Sequence, residues 1–224
     1  MVATTHQASI NLKTTPYTAA GAKPLYDDWV KTYDSDLTAW GWTPPRLIAE
    51  KLTEMGFVDK ADVKVLDLGC GTGLSGEALQ KGKIGSNGMV GIDLSPNSIE
   101  HLGKEKPGLY SEAHAANLDE KLDILKDGDF DVAISSGVMS YIENYPNFYG
   151  EVLRVLKPGA IFCFTQNAQV WDDDARECKT VADKLVAEGK WECKSVGDPQ
   201  DYTPLNPDPE WAARKIRVHV YEKK

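Results

Sequence analysis

The chain is poor in the residues that small proteins use as staples. Its 224 residues include four cysteines, Cys70, Cys163, Cys178 and Cys193. No two form a CxxC pair and none has histidine neighbours at zinc spacing, which argues against a disulfide scaffold or a zinc module. The thiols read as reduced, in a cytosolic-type compartment. Histidine is as scarce: His6, His101, His114 and His219 stand singly, and no metal site is expected. Apolar runs of membrane-spanning length are missing, as is a signal-like hydrophobic region, so no membrane partner is expected. Positive charge is in deficit, 25 Lys plus Arg against 34 Asp plus Glu, for a net charge of −9. With no basic cluster to offset that balance, nucleic acid is not an expected partner.

What is present is an ordinary globular composition, 42% hydrophobic and 26% charged, enough for one good core and a small appendage. The opening MVATTHQASINLKTTPYTAAG is rich in Thr, Ala and Ser and poor in acids. It reads as a flexible tail over 1–22 in preference to the remnant of an organelle-targeting segment, and the expected location is cytoplasmic. Residues 23–224 read as one domain, a helical lid over 23–60 and an α/β core over 61–224.

Within that core, apolar runs alternate with helix-like segments. VKVLDL (63–68), GMVGIDLS (88–95), GLYSEAHAAN (108–117), FDVAISSGV (130–138) and AIFCFTQN (160–167) read as strands. LSGEALQKG (74–82), a segment opening at Ser95-Pro96 and NFYGEVLRVLK (147–157) read as the intervening helices. Such alternation demands crossover connections, hence a mostly parallel sheet covered on both faces. A polar helix is expected over about 172–189, followed by a strand at KWECKSV. The four prolines of GDPQDYTPLNPDPEW mark a loop. In RKIRVHVYEK (214–223), Ile216, Val218 and Val220 alternate with Lys215, Arg217 and His219, the pattern of an antiparallel edge strand.

The stretch VLDLGCGTG (65–73) carries the chemistry. Gly69, Gly71 and Gly73 follow the first strand, where an open parallel sheet binds its ligands. A dinucleotide fingerprint would be GxGxxG with a helix N-terminus facing pyrophosphate. Here the spacing is GxGxG, and Asp67 precedes the first glycine by two positions. A carboxylate there repels phosphate and suits a ligand with a cationic end. Asp93, at the end of the second strand, is placed to accept hydrogen bonds from the two hydroxyls of a ribose. A cationic amino-acid end and a ribose together describe S-adenosylmethionine. Cys70 reads as a backbone contributor to that loop in preference to a reactive thiol.

These motifs, with FDVAISSGVMSYI (130–142) and VLKPGA (155–160), resemble in order and kind the class I S-adenosylmethionine-dependent methyltransferases. The opening LYDDWVKTYDSDLTAWGWTPP extends the resemblance to the Williams–Beuren-region methyltransferase-like proteins. The resemblance implies a Rossmann-like, doubly wound sheet of seven strands, the last antiparallel, with an N-terminal helical lid. It implies that Asp67, Gly69 and Gly71 hold the methionine part and that Asp93 and Leu94 hold ribose and adenine. Asn117 and Leu118 would line the adenine, and Ser135 and Ser136 would floor the site. Many relatives have an acid where this chain has Asn117.

Tyr26, Trp29 and Tyr33 recur at helical spacing beside Asp27, Asp28, Asp34 and Asp36. They read as a stripe that is core and lid at once, with Tyr33 also near the cofactor. Aromatic faces suit a sulfonium, because a ring quadrupole attracts a cation. The segment SSGVMSYIENYP has no Asp/Asn-Pro-Pro-Tyr signature, and its local candidates, Tyr141, Glu143 and Asn144, include no dedicated base. Tyr141 is the one catalytic candidate, with proximity expected to supply most of the rate. The expected partner is a small-molecule methyl acceptor that is nucleophilic without deprotonation: a thiolate, a thioether or a tertiary amine. A thioether acid such as 4-methylthio-2-hydroxybutyrate, methylated in dimethylsulfoniopropionate synthesis, is one such acceptor. Arg46, Arg214 or Lys215 would supply the cation for its carboxylate. Asn167 and Trp171 complete the expected acceptor residues. The alternatives are N- or O-methylation of a small metabolite, an NAD(P)-dependent oxidoreductase on the same fold, and a non-catalytic cofactor-binding scaffold.

Overall fold

The structure, a computed structural model, describes residues 16–86 and 88–224; most of the expected tail, His6 included, lies outside the described residues. The apolar runs form one sheet. β1 (Val65–Leu68) is buried along its whole length and pairs in parallel with β2 (Met89–Asp93) and β4 (Phe130–Ser135). β3 (Glu112–Ala115) flanks β2 and β5 (Leu156–Asn167) flanks β4, both parallel. Beyond β5 lie β6 (Trp191–Val196), the two-residue β7 (Gln200–Asp201) and β8 (Lys215–Lys223). The order is β3-β2-β1-β4-β5-β8-β6, with β7 pairing onto β8.

β8 runs antiparallel, as expected, but it is not an edge strand. β5 and β6 pair on its two sides, and its alternate residues face two covered layers. Val218 and Val220 join one core while Tyr221 joins the other, and His219 is fully buried between Phe164 and Trp171. The helix expected over 172–189 also starts late. Asp173 caps a single 3-10 turn, Glu177 adopts φ 53°, and α8 begins only at Cys178 (Cys178–Ala187). A left-handed residue cannot continue a right-handed helix.

Among the described residues, seven further helices cover the sheet and its ends, and an eighth, α9 (Pro209–Ala212), forms in the expected proline loop. On one face α6 (Tyr145–Val155) and α8 enclose Phe148, Tyr149, Phe162 and Trp191. On the other, α4 (Leu74–Lys81) and α5 (Pro96–Glu105) pack with α3 (Pro44–Glu54) over Val65, Val132 and Ile134. The expected 23–60 lid therefore divides. α3 belongs to the core layer through Ile48 and Leu52, each worth about 1.5–3 kcal/mol of apolar burial. Only α1 (Ala19–Trp29) and α2 (Tyr33–Ala39) lie over the carboxyl ends of the strands. α1 starts within the expected tail, where the Thr18 hydroxyl caps it by accepting the Gly21 N–H at 3.0 Å. The short α7 (Ala168–Trp171) closes the far end of β5.

Gly73 sets how α4 leaves the first strand's loop. Its φ is 95°, and a Cβ there would sit 2.7 Å from Leu102 and 3.0 Å from Leu109. Gly73→Ala is expected to lower the unfolding free energy by about 2–4 kcal/mol, from left-handed strain plus overpacking. A urea denaturation comparison with wild type measures it.

Candidate functional site

Strand order reverses where β1 lies between β2 and β4, and the loops leaving β1 and β4 open a crevice there. Its cavity is about 930 Å³ including the open mouth. Gly69, Cys70 and Gly71 form its floor on one side, with Asp93 and Leu94 beside them. Asn117, Leu118 and Ser136 line it further along, and Tyr26, Tyr33 and Tyr141 wall the top. Gly71 has φ 50°, and the one heavy atom near a Cβ added there is Asp93 Oδ2 at 3.9 Å. Its backbone is thus bare toward the cavity, where a side chain would project.

Asp93 holds this loop in place. Its Oδ2 accepts the Gly71 N–H at 2.8 Å and its Oδ1 accepts the Ser95 N–H at 2.9 Å. Burial raises its pKa, while the two amide donors pull it back down. Each oxygen keeps lone-pair capacity for a further donor. Ser95 in turn caps α5 by accepting the Ser98 N–H at 3.1 Å, and its hydroxyl donates to Asp27 of α1.

Several expected residues stand outside the cavity wall. Asp67 is fully buried beneath the loop, its Oδ2 accepting the Tyr110 hydroxyl at 2.6 Å and its Oδ1 without a partner. Burial pushes its carboxyl up to about 7, and the Tyr110 bond only partly opposes this. Ser135 donates to the Leu68 carbonyl at 2.9 Å and ties β4 to β1. On the acceptor side, Trp29 faces the lid's own aromatic core and donates Nε1–H to Asp36 at 2.7 Å. Asn167 caps α7 by accepting the Gln169 N–H at 2.9 Å. Trp171 packs on His219 at 4.0 Å between ring centroids. Arg214 stacks over Trp211 and donates to the Tyr17 hydroxyl at 3.0 Å. Arg46 pairs with Glu50 at 2.7 Å and Lys215 pairs with Asp201, both exposed and neither lining the cavity.

Other wall residues were not among those expected from the sequence. Trp42 approaches Gly137, where an added Cβ would meet its ring at 3.1 Å. Lys23 reaches the wall from α1 but is held by Asp27 at 2.5 Å. Asp119 points its Oδ1 at the N–H groups of Glu143, at 3.0 Å, and Asn144, at 2.8 Å. The i,i+4 spacing of Lys23 and Asp27 was available as a signal, and so was the run of acids along the lid. Two of those acids fasten it: Asp27 to Ser95, and Asp34 both to Thr72 and to Lys106, the latter at 2.7 Å.

A reversing parallel sheet with a glycine loop and a ribose-type carboxylate at its crevice defines a Rossmann-like nucleotide-binding protein. Comparison with known proteins narrows this. Residues 59–206 match the methyltransferase domain family. Human methyltransferase-like protein 27 is 30% identical over 169 residues, covering 75% of this chain and 67% of that protein. The human thiol S-methyltransferase TMT1A is 30% identical over 121 residues, 53% of this chain and 46% of that protein. Among solved structures, a TehB-like S-adenosylmethionine-dependent methyltransferase from Corynebacterium glutamicum superposes with a TM-score of 0.61. It is 20% identical and covers 90% of this chain and 100% of that one. The chain belongs to the S-adenosylmethionine-dependent methyltransferases.

The residues present fit that cofactor. The wall offers an uncommitted buried hydroxyl, Ser136 Oγ, a bare Gly71 backbone and an Asp93 carboxylate with acceptor capacity to spare. The cation on the wall, Lys23, is already neutralised by Asp27, which suits a ligand without phosphates.

Asp67 generates a pH test. Its carboxyl titrates at 3.8 when unperturbed and at about 7 in the folded protein, so the folded state holds this proton more tightly. That contribution to stability is fully present below about pH 4 and lost as pH rises through 7. Relative to Asp67→Asn, wild type is expected to lose roughly 4 kcal/mol of unfolding free energy between pH 4 and 8. Denaturant titrations of both proteins across that range measure it.

Proposed function

We propose that this methyltransferase acts on a small acceptor whose attacking atom needs no proton removed: a thiolate, a thioether sulfur or a tertiary amine. The observation that carries this reading is the character of the wall above the glycine loop. Three phenols stand there, Tyr26, Tyr33 and Tyr141, and burial above all raises the pKa of each, with the Tyr26 hydrogen bond partly opposing the rise at Tyr141. Such hydroxyls stay protonated at neutral pH and act as hydrogen-bond donors. Tyr26 and Tyr141 are joined to each other, 3.2 Å between hydroxyl oxygens. The carboxylates of Asp93 and Asp119 already accept backbone amides, and histidine does not occur on the wall.

Bound S-adenosylmethionine supplies a methyl activated on a sulfonium. What the chain adds is placement. Asp93 and the Gly71 backbone orient the donor end, while the lid rings exclude water and present faces that favour a cation. An acceptor held about 3 Å from the methyl and in line needs little else. The thiol S-methyltransferase among the relatives supports a sulfur nucleophile, and a thioether acid such as 4-methylthio-2-hydroxybutyrate heads the candidates.

The test is an acceptor screen joined to one variant. Thiols and thioethers are expected to be methylated faster than phenols and primary amines. Tyr141→Phe is expected to keep kcat within about tenfold of wild type, because it removes a donor and not a base. A loss on the order of a hundredfold or more, confined to acceptors that must shed a proton, would contradict the reading and make Tyr141 a general base.

A further inference from the structure

We propose that Arg176 and Arg214 form a carboxylate-binding subsite beside Tyr141, just outside the cavity wall, and that the Tyr17 hydroxyl stands in for an oxygen of that carboxylate. The inference deepens the small-acceptor reading and rests on it for where the acceptor lies.

Tyr141 lines the cavity. Besides Tyr26, its ring meets that of Tyr17, 5.8 Å between centroids. Tyr17 is flanked by two guanidinium groups. Arg214 donates Nη1–H to its hydroxyl at 3.0 Å, and Arg176 lies over its ring at 5.7 Å from the centroid. Both arginines are held from behind. Arg214 stacks on the Trp211 ring at 3.5 Å, and its carboxylate neighbour, Glu210, is 3.7 Å away on a largely exposed side chain. Arg176 is anchored through Nη2, which donates to the Ser140 carbonyl next to Tyr141. Its Nε is buried with no partner, and among the described residues no carboxylate pairs with it.

Two half-buried guanidiniums meet at Tyr17, one of them paired with a single exposed carboxylate at 3.7 Å and the other with a buried Nε that has no partner, and burial penalises that arrangement. A bound anion removes the penalty. The planar guanidinium fork matches a carboxylate better than any other side chain does. Tyr17 is the exposed member of this cluster, with 37% of its surface accessible, while Tyr26 and Tyr141 behind it are largely shielded. It can swing away without disturbing the core. An acceptor whose carboxylate replaces the Tyr17 hydroxyl would extend inward past Tyr141 and bring its nucleophile toward the glycine loop. The acceptor class is therefore a small carboxylic acid with a nucleophilic atom several bonds from the acid group.

The experiment is a pair of calorimetric titrations with S-adenosylhomocysteine saturating. 4-Methylthiobutanoate and its carboxamide, matched in shape but not in charge, are titrated into wild type, Arg176→Gln and Arg214→Gln. Wild type is expected to bind the acid at least about tenfold more tightly than the amide, the worth of one charge-assisted contact. In each variant that preference should fall to about threefold or less, with the affinity for S-adenosylhomocysteine unchanged as the check on folding. Three results overturn the proposal: neither probe binds wild type, the acid is not preferred, or the preference survives in both variants. Competition by inorganic phosphate that exceeds acetate would reassign the subsite to phosphorylated compounds and overturn it equally. The same titrations without S-adenosylhomocysteine read the arginines alone. Failure of S-adenosylhomocysteine to bind would sink the methyl-transfer reading, whatever the arginines do.

Discussion

One carboxylate organises the site. Asp93 ends β2, and its two oxygens accept the N–H groups of Gly71 and Ser95. The first bond pins the glycine loop leaving β1, and the second orders the start of α5. From Ser95 the connection continues outward, because its hydroxyl meets Asp27 of the lid while capping α5. A buried carboxylate is costly unless donors surround it, and here the donors are backbone amides of the loop it must position. Removing that charge unties the loop, the helix start and one fastening of the lid together.

The acidity of the chain acquires a local meaning around this carboxylate. Asp27, Asp34, Asp67, Asp93 and Asp119 all lie in or next to the crevice; Lys23, which lines it, is committed to Asp27, and Lys106 is committed to Asp34. The resulting field suits a ligand carrying positive charge and opposes one carrying phosphates. The aromatic lid has the same bias, since ring faces attract cations. Positive charge gathers instead at Arg176 and Arg214, beyond Tyr141. Acids and ring faces thus gather around the crevice, while these guanidiniums lie outside its wall.

Much of this was legible in the residues. The strand–glycine–helix grammar placed β1, β2, β4 and β5 within a few residues, because fully buried parallel strands read as continuous apolar runs. GxGxG with Asp93 gave the ligand end for a stereochemical reason: a bare backbone and a terminal carboxylate have few other uses at a strand end. What stayed hidden depends on neighbours distant in sequence. RKIRVHVYEK has the alternation of a half-exposed edge, yet β6 covers its outer side and takes His219 into the core with its ring nitrogens unpaired, pushing the imidazole down to about 3. Asn167 and Trp171 follow β5 as acceptor residues would, but a helix cap and an aromatic stack claim them. Asp67 reads as a ligand carboxylate, while Tyr110, 43 residues away, holds it beneath the loop. Arg176 gave no signal at all, since its partner Tyr17 is far from it along the chain.

The most direct test of the central claim, that Asp93 and the glycine loop form an S-adenosyl site and not a dinucleotide site, is calorimetric titration of the whole chain. S-adenosylhomocysteine and NAD would each be added to wild type and to Asp93→Ala. The account predicts micromolar or tighter binding of S-adenosylhomocysteine to wild type, weakened by about a hundredfold or more in the variant, and no comparable heat with NAD. Binding of NAD in place of S-adenosylhomocysteine, or undiminished binding in Asp93→Ala, would contradict it.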